Sequence, residues 1–83
     1  MKPILFTLEN CSKCESTKKY LKGINYDVVE FPHNWQEWTF EQKQLAKKHN
    51  VIEDLKETAP IFVTGEHKLI GQLRIKRWAK IWS

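Results

Sequence analysis

Cysteine is scarce in this chain: Cys11 and Cys14 are the only two among 83 residues. Glycine and proline number three each, and no linker, repeat or low-complexity segment interrupts the chain. No apolar run approaches the roughly 18 residues that a membrane-spanning helix needs. The opening stretch Met1–Phe6 has one lysine and a short apolar run that ends at Glu9, too brief for a secretory leader. The expected compartment is therefore the cytoplasm, where a structural disulfide fits poorly and a Cys-x-x-Cys pair is more often redox-active or metal-binding. Histidine is sparse as well. His33, His49 and His67 are too far apart for a His-x₃₋₅-His pair, so the two cysteines lack the partners of a zinc site. No Ser/His/Asp set, phosphate loop or catalytic carboxylate pair is present. Acid is missing from His67 to Ser83, where Lys68, Arg74, Lys76, Arg77 and Lys80 stand. That run reads either as a solvated helix face or as a source of electrostatic steering toward an acidic partner or an anionic thiol.

What is present describes one soluble domain over residues 1–83. Hydrophobic residues make up 41% and charged residues 29%, and four tryptophans and four phenylalanines favour a packed core. Ile4-Leu5-Phe6-Thr7-Leu8 is short and nearly all apolar, which predicts a buried strand. Beyond the cysteines, Cys14, Thr17, Leu21 and Ile24 fall on one helical face, and Gly23 is a natural stop. Tyr26–Phe31 is rich in β-formers and closes at Pro32, giving a second strand and a βαβ unit with two parallel strands. The stretch 33–57 reads as broken helix. Asn34 with Glu37 and Thr39 with Gln42 resemble capping boxes, Asn50 ends the main piece, and Val51, Ile52 and Leu55 pack a second one. Pro60–Thr64 reads as a strand, Thr64-Gly65-Glu66-His67 as a hairpin turn, and Lys68–Ile70 as the strand paired with it. After Gly71, the i, i+3, i+4, i+7 spacing of Ile75, Trp78, Ala79 and Trp82 predicts an amphipathic last helix. The order is β-α-β-α-β-β-α.

This order gives the cysteines unequal chemistry. Cys11 falls at the N-terminal edge of the first helix, where unpaired N–H groups and the helix dipole favour a thiolate and Lys13 adds a cation. Such a setting lowers a thiol pKa from about 8.5 toward neutral or below. Thiolate is the nucleophile of disulfide exchange, so Cys11 is the expected attacking group. Cys14, one turn on and tilted to the apolar face, is placed to resolve the mixed disulfide that forms.

Three motifs then resemble the glutaredoxins, a branch of the thioredoxin superfamily, over nearly the whole chain. They are Cys11-Ser12-Lys13-Cys14 after the first strand, Thr58-Ala59-Pro60 before the third, and Ile70-Gly71 before the last helix. The resemblance implies a thioredoxin-like α/β fold, with a four-stranded mixed sheet flanked by three helices and a cis bond at Ala59–Pro60. It implies thiol–disulfide oxidoreductase activity with no tightly bound cofactor, glutathione serving as reductant or co-substrate. The substrate or glutathione site would comprise Lys13, Thr58, Ala59, Pro60, Gly71, Gln72 and Leu73, with Ala59 offering its backbone and the last helix's N-terminus holding a carboxylate.

The chain departs from the family pattern at several positions. Gln72 replaces a second glycine, and Leu73-Arg74-Ile75 stands where an acid often follows. Glu9 and Asn10 lie where a lysine is common, and Lys13 replaces an aromatic. Glutathione and thioredoxin reductase therefore both stand as candidate electron sources, and ribonucleotide reductase as one candidate protein substrate. Some members of the family instead bind a [2Fe–2S] cluster. The remaining expectations are a monomer with no metal or membrane partner, and no nucleic acid, because Trp78 and Trp82 are needed for the core rather than for stacking on bases.

Overall fold

The alternation of large apolar side chains along two central strands dictates a sheet covered on both faces. The computed structural model describes residues 2–82, the side chain of Trp82 excepted. Its elements are β1 (Ile4–Leu8), α1 (Ser12–Tyr20), β2 (Asp27–Phe31), a 3₁₀ turn (Trp35–Glu37), α2 (Phe40–Lys48), α3 (Ile52–Glu57), β3 (Ile61–Val63), β4 (Lys68–Ile70) and α4 (Gln72–Trp82). The sheet order is β2-β1-β3-β4. β1 pairs parallel with β2, while β1–β3 and β3–β4 are antiparallel.

Successive side chains of a strand point to opposite faces. Leu5 and Phe62 thus face one layer, where they pack with Leu21 of the α1 C-cap and with Ile75 and Ala79 of α4. Phe6, Ile61 and Val63 face the other, packing with Phe31, Trp38, Ala46, Val51 and Leu55 from β2, the 3₁₀ segment, α2 and α3. All three residues of β3 are buried, which accounts for its unbroken apolar run. Phe62 is fully enclosed, with Tyr26 edge-on at 5.9 Å and Trp78 at 5.1 Å between ring centroids. The expected packing of the Trp82 side chain lies outside the described residues.

The stretch 33–57 breaks for local reasons. Thr39 and Gln42 form a reciprocal capping box that starts α2. Asn34 and Glu37 do not form one. The Asn34 side chain instead accepts the Gln36 N–H at 3.0 Å, a tighter loop that supports one 3₁₀ turn. Asn50 takes a left-handed φ of 57°, which ends α2 and lets α3 start at Ile52. The middle helical layer therefore has three short pieces where the resemblance implied one helix.

Two side chains sit in places their type alone does not suggest. The ring of His49 packs against Phe6 at 5.5 Å because it caps α2 over the sheet. Lys68 belongs to the basic run read as a solvated face or a source of steering, yet it reaches α3, 2.7 Å from Asp54 Oδ2 and 3.0 Å from the Asn50 carbonyl.

Thr7 is buried, and its hydroxyl has no partner among the described residues. An unpaired buried hydroxyl costs stability that an apolar group of the same shape does not. Thr7→Val is therefore expected to raise stability by about 1 kcal/mol. Urea unfolding would register this as a higher midpoint with unchanged slope, and a lower midpoint would mean that the hydroxyl finds a partner in solution.

Candidate active site

β1 delivers the chain to Asn10, whose φ of 55° turns it sharply into α1. Asparagine tolerates this left-handed conformation better than most residues, and the turn brings Cys11 to the N-cap. The loop is held from the side of β2: the Glu9 N–H donates to the Phe31 carbonyl at 2.9 Å, and the His33 N–H donates to Glu9 Oε1 at 3.2 Å. Cys11 is extended, with φ −107° and ψ 103°, and its Sγ accepts the Cys14 N–H at 3.1 Å. Cys11 Sγ and Cys14 Sγ are joined as a disulfide across a Cα–Cα distance of 5.2 Å. The two sulfurs differ in exposure: Cys11 is half-buried at the surface, whereas Cys14 is only 1% exposed.

Thr58, Ala59 and Pro60 approach from α3. The Thr58 N–H donates to the Asp54 carbonyl at 2.8 Å, capping that helix, and the Ala59–Pro60 bond is cis. The Pro60 carbonyl then accepts the Gly71 N–H at 3.0 Å. This bond brings the start of α4 beside the Thr-Ala-Pro segment, although the two lie about ten residues apart in sequence. Gly71 turns with φ 93°, a conformation that suits glycine, and its carbonyl accepts the Ile75 N–H in the first turn of α4.

Two adjoining grooves result. One, of about 460 Å³, runs past Cys11 between Asn10, Lys13, His33, Lys56 and Ala59. The other, of about 520 Å³, runs from Lys13, Thr58 and Ala59 to Gly71, Gln72, Leu73 and Arg74. They meet at Lys13, Thr58 and Ala59. The structure thus brings together Cys11, Lys13, Thr58, Ala59, Gly71, Gln72 and Leu73 along one continuous surface, with Cys14 and Pro60 buried.

The sequence reading missed Asn10, His33, Lys56 and Arg74. Asn10 carried a usable signal, an asparagine between a strand and a helix start. Lys56 carried none: it is held over the Trp35 ring at 4.0 Å and near Glu53 at 3.6 Å by folding of the broken segment. Among the described residues no group of three or more His, Cys, Asp and Glu side chains is arranged to hold a metal ion, and no helix is long and apolar enough to cross a membrane.

Neither a protein-family model nor a curated protein matches the chain. Among solved structures, it is similar to the crystal structure of a glutaredoxin from Archaeoglobus fulgidus. The TM-score is 0.66 at 21% sequence identity, over 92% of this chain and 83% of that one. Sheet order, the helix that starts between the two cysteines and the overall match agree: the chain has a thioredoxin-like fold, similar to that of this glutaredoxin.

Proposed function

We propose that this protein is a dithiol–disulfide oxidoreductase that reduces protein disulfides or glutathione mixed disulfides. One observation carries the reading. Cys11 Sγ sits at a helix N-cap, accepts the Cys14 N–H, is bonded to Cys14 and opens on the groove beside Ala59.

In the reduced protein the same N–H and the positive end of α1 stabilise negative charge on Cys11 Sγ. The Cys11 thiolate attacks one sulfur of the substrate disulfide. An S–S bond to Cys11 forms, the substrate S–S bond breaks, and the departing thiolate takes up a proton. Cys14 then loses its proton and attacks Cys11 Sγ, releasing the second substrate thiol. The two electrons come from the dithiol, which ends as the Cys11–Cys14 disulfide. Burial of Cys14 suits a group that waits for the mixed disulfide rather than meeting substrate first. Ala59 lines the groove beside Cys11, where its backbone would pair with the substrate chain like an added strand.

The reductant that restores the dithiol is either glutathione or a thioredoxin reductase. Lys13, Arg74 and the N-terminus of α4 on one groove suit the carboxylates of glutathione. The test couples the protein to glutathione with glutathione reductase, and separately to thioredoxin reductase, with a mixed-disulfide peptide as substrate. NADPH consumption that depends on the protein is expected in at least one system. Turnover only with thioredoxin reductase would remove glutathione from the proposal, and turnover in neither would overturn the oxidoreductase reading.

A further inference from the structure

The last helix has two apolar faces, and the core uses one of them. Ile75 and Ala79 are buried against Leu5 and Phe62. Leu73 and Ile81 point the other way, 75% and 79% exposed. They stand at i and i+8, about 12 Å apart along the helix, with Arg77 at i+4 on the same line. Arg74 lies next to that line, and neither arginine has an ion pair among the described residues. A shallow groove joins Arg74, Arg77 and Ile81 to His67 and Leu69 of the β3–β4 hairpin. Glu66 borders its far end. At the near end, Leu73 and Arg74 also line the groove that reaches Lys13 and Ala59. A basic and apolar strip therefore runs outward from the disulfide groove along α4.

The exposed leucine and isoleucine flank two arginines unpaired among the described residues, in a region with no acid from His67 onward. Arginine's planar fork favours carboxylates, and the run of like charge repels basic partners. We propose that the outer face of α4 is a docking surface for an acidic segment bearing apolar side chains, carried by the protein whose disulfide is reduced. Leu73 and Ile81 take the apolar side chains, and Arg74 and Arg77 take the carboxylates between them. The strip then orients the bound chain so that its disulfide enters the groove at Cys11. This inference rests on the oxidoreductase reading and adds the partner's chemistry to it.

The test uses two synthetic disulfide peptides with identical leucine and phenylalanine positions, one with aspartate and glutamate around them and the other with lysine. Bis(2-hydroxyethyl) disulfide serves as a neutral small substrate. Pre-reduced protein is expected to reduce the acidic peptide about tenfold faster than the basic one at ~50 mM salt, with the ratio falling toward one at ~0.5 M. Arg77→Glu is expected to abolish this preference and leave the small disulfide unaffected. Ile81→Gln is expected to slow the acidic peptide at both salt concentrations. Equal rates for the two peptides with normal reduction of the small disulfide would overturn the docking surface and leave the oxidoreductase reading standing. No reduction of any of the three would overturn both. Tighter binding of a single-stranded oligonucleotide than of the acidic peptide would overturn the peptide assignment in favour of nucleic acid.

Discussion

Cys11→Ser is expected to reduce disulfide-exchange activity by on the order of 10³-fold or more, because it removes the proposed nucleophile itself. A serine hydroxyl at the same N-cap still accepts the Cys14 N–H, so helix α1 keeps its cap and the fold survives. The loss is therefore chemical, and unchanged unfolding midpoints would demonstrate it. Cys14→Ser should behave differently. Cys14 is buried and, in the proposed mechanism, acts in the second step only, so this variant should still form a mixed disulfide through Cys11 and retain whatever turnover an external thiol can complete. Mass spectrometry after mixing with a glutathionylated peptide separates the two: Cys14→Ser carries the adduct and Cys11→Ser does not. Full activity in Cys11→Ser would defeat the mechanism.

The largest expected effect on stability is at Phe62. Its ring is fully enclosed between Leu5, Tyr26, Ile75 and Trp78, at the centre of the layer formed by α1 and α4. Phe62→Ala removes that contact and leaves a cavity, at a cost of about 3–5 kcal/mol. A chain of 83 residues has roughly 4–12 kcal/mol to lose, so much of the population should be unfolded at 37 °C. The expected fall in Tm is roughly 15–30 °C, measurable by circular dichroism. Phe62→Leu keeps most of the volume and should cost about 1–2 kcal/mol. Equal, small losses in both variants would mean that the site collapses around the gap.

The legible part of the site was the part encoded in local chemistry. Two cysteines one helical turn apart, a strand before them and a helical face after them were enough to distinguish Cys11 from Cys14. The structure keeps that distinction, with Cys11 Sγ at the N-cap and Cys14 within the core. The capping box at Thr39 and the hairpin at Thr64 were legible for the same reason, since their hydrogen bonds span only three residues. Asn34 resembled the start of a capping box equally well, but its side chain caps the 3₁₀ turn through the nearer Gln36 N–H, and the competition between two close donors does not appear in residue spacing. His49 and Lys68 depend on partners far along the chain: Phe6 for one, Asp54 and Asn50 for the other.

By itself, then, the sequence determined most strands and helices, the two faces of the central strands and the unequal placement of the two cysteines. Each follows from periodicity, capping or side-chain chemistry within a few residues. Tertiary structure alone decided that Ala59 lies beside Cys11 and the start of α4 beside Lys13 and Ala59, through a hydrogen bond from Gly71 to Pro60 and antiparallel pairing of β3 between β1 and β4. It also decided which face of α4 remained in water. Both outcomes depend on long-range sheet register, and residues distant in sequence acquire a common surface only once that register is set.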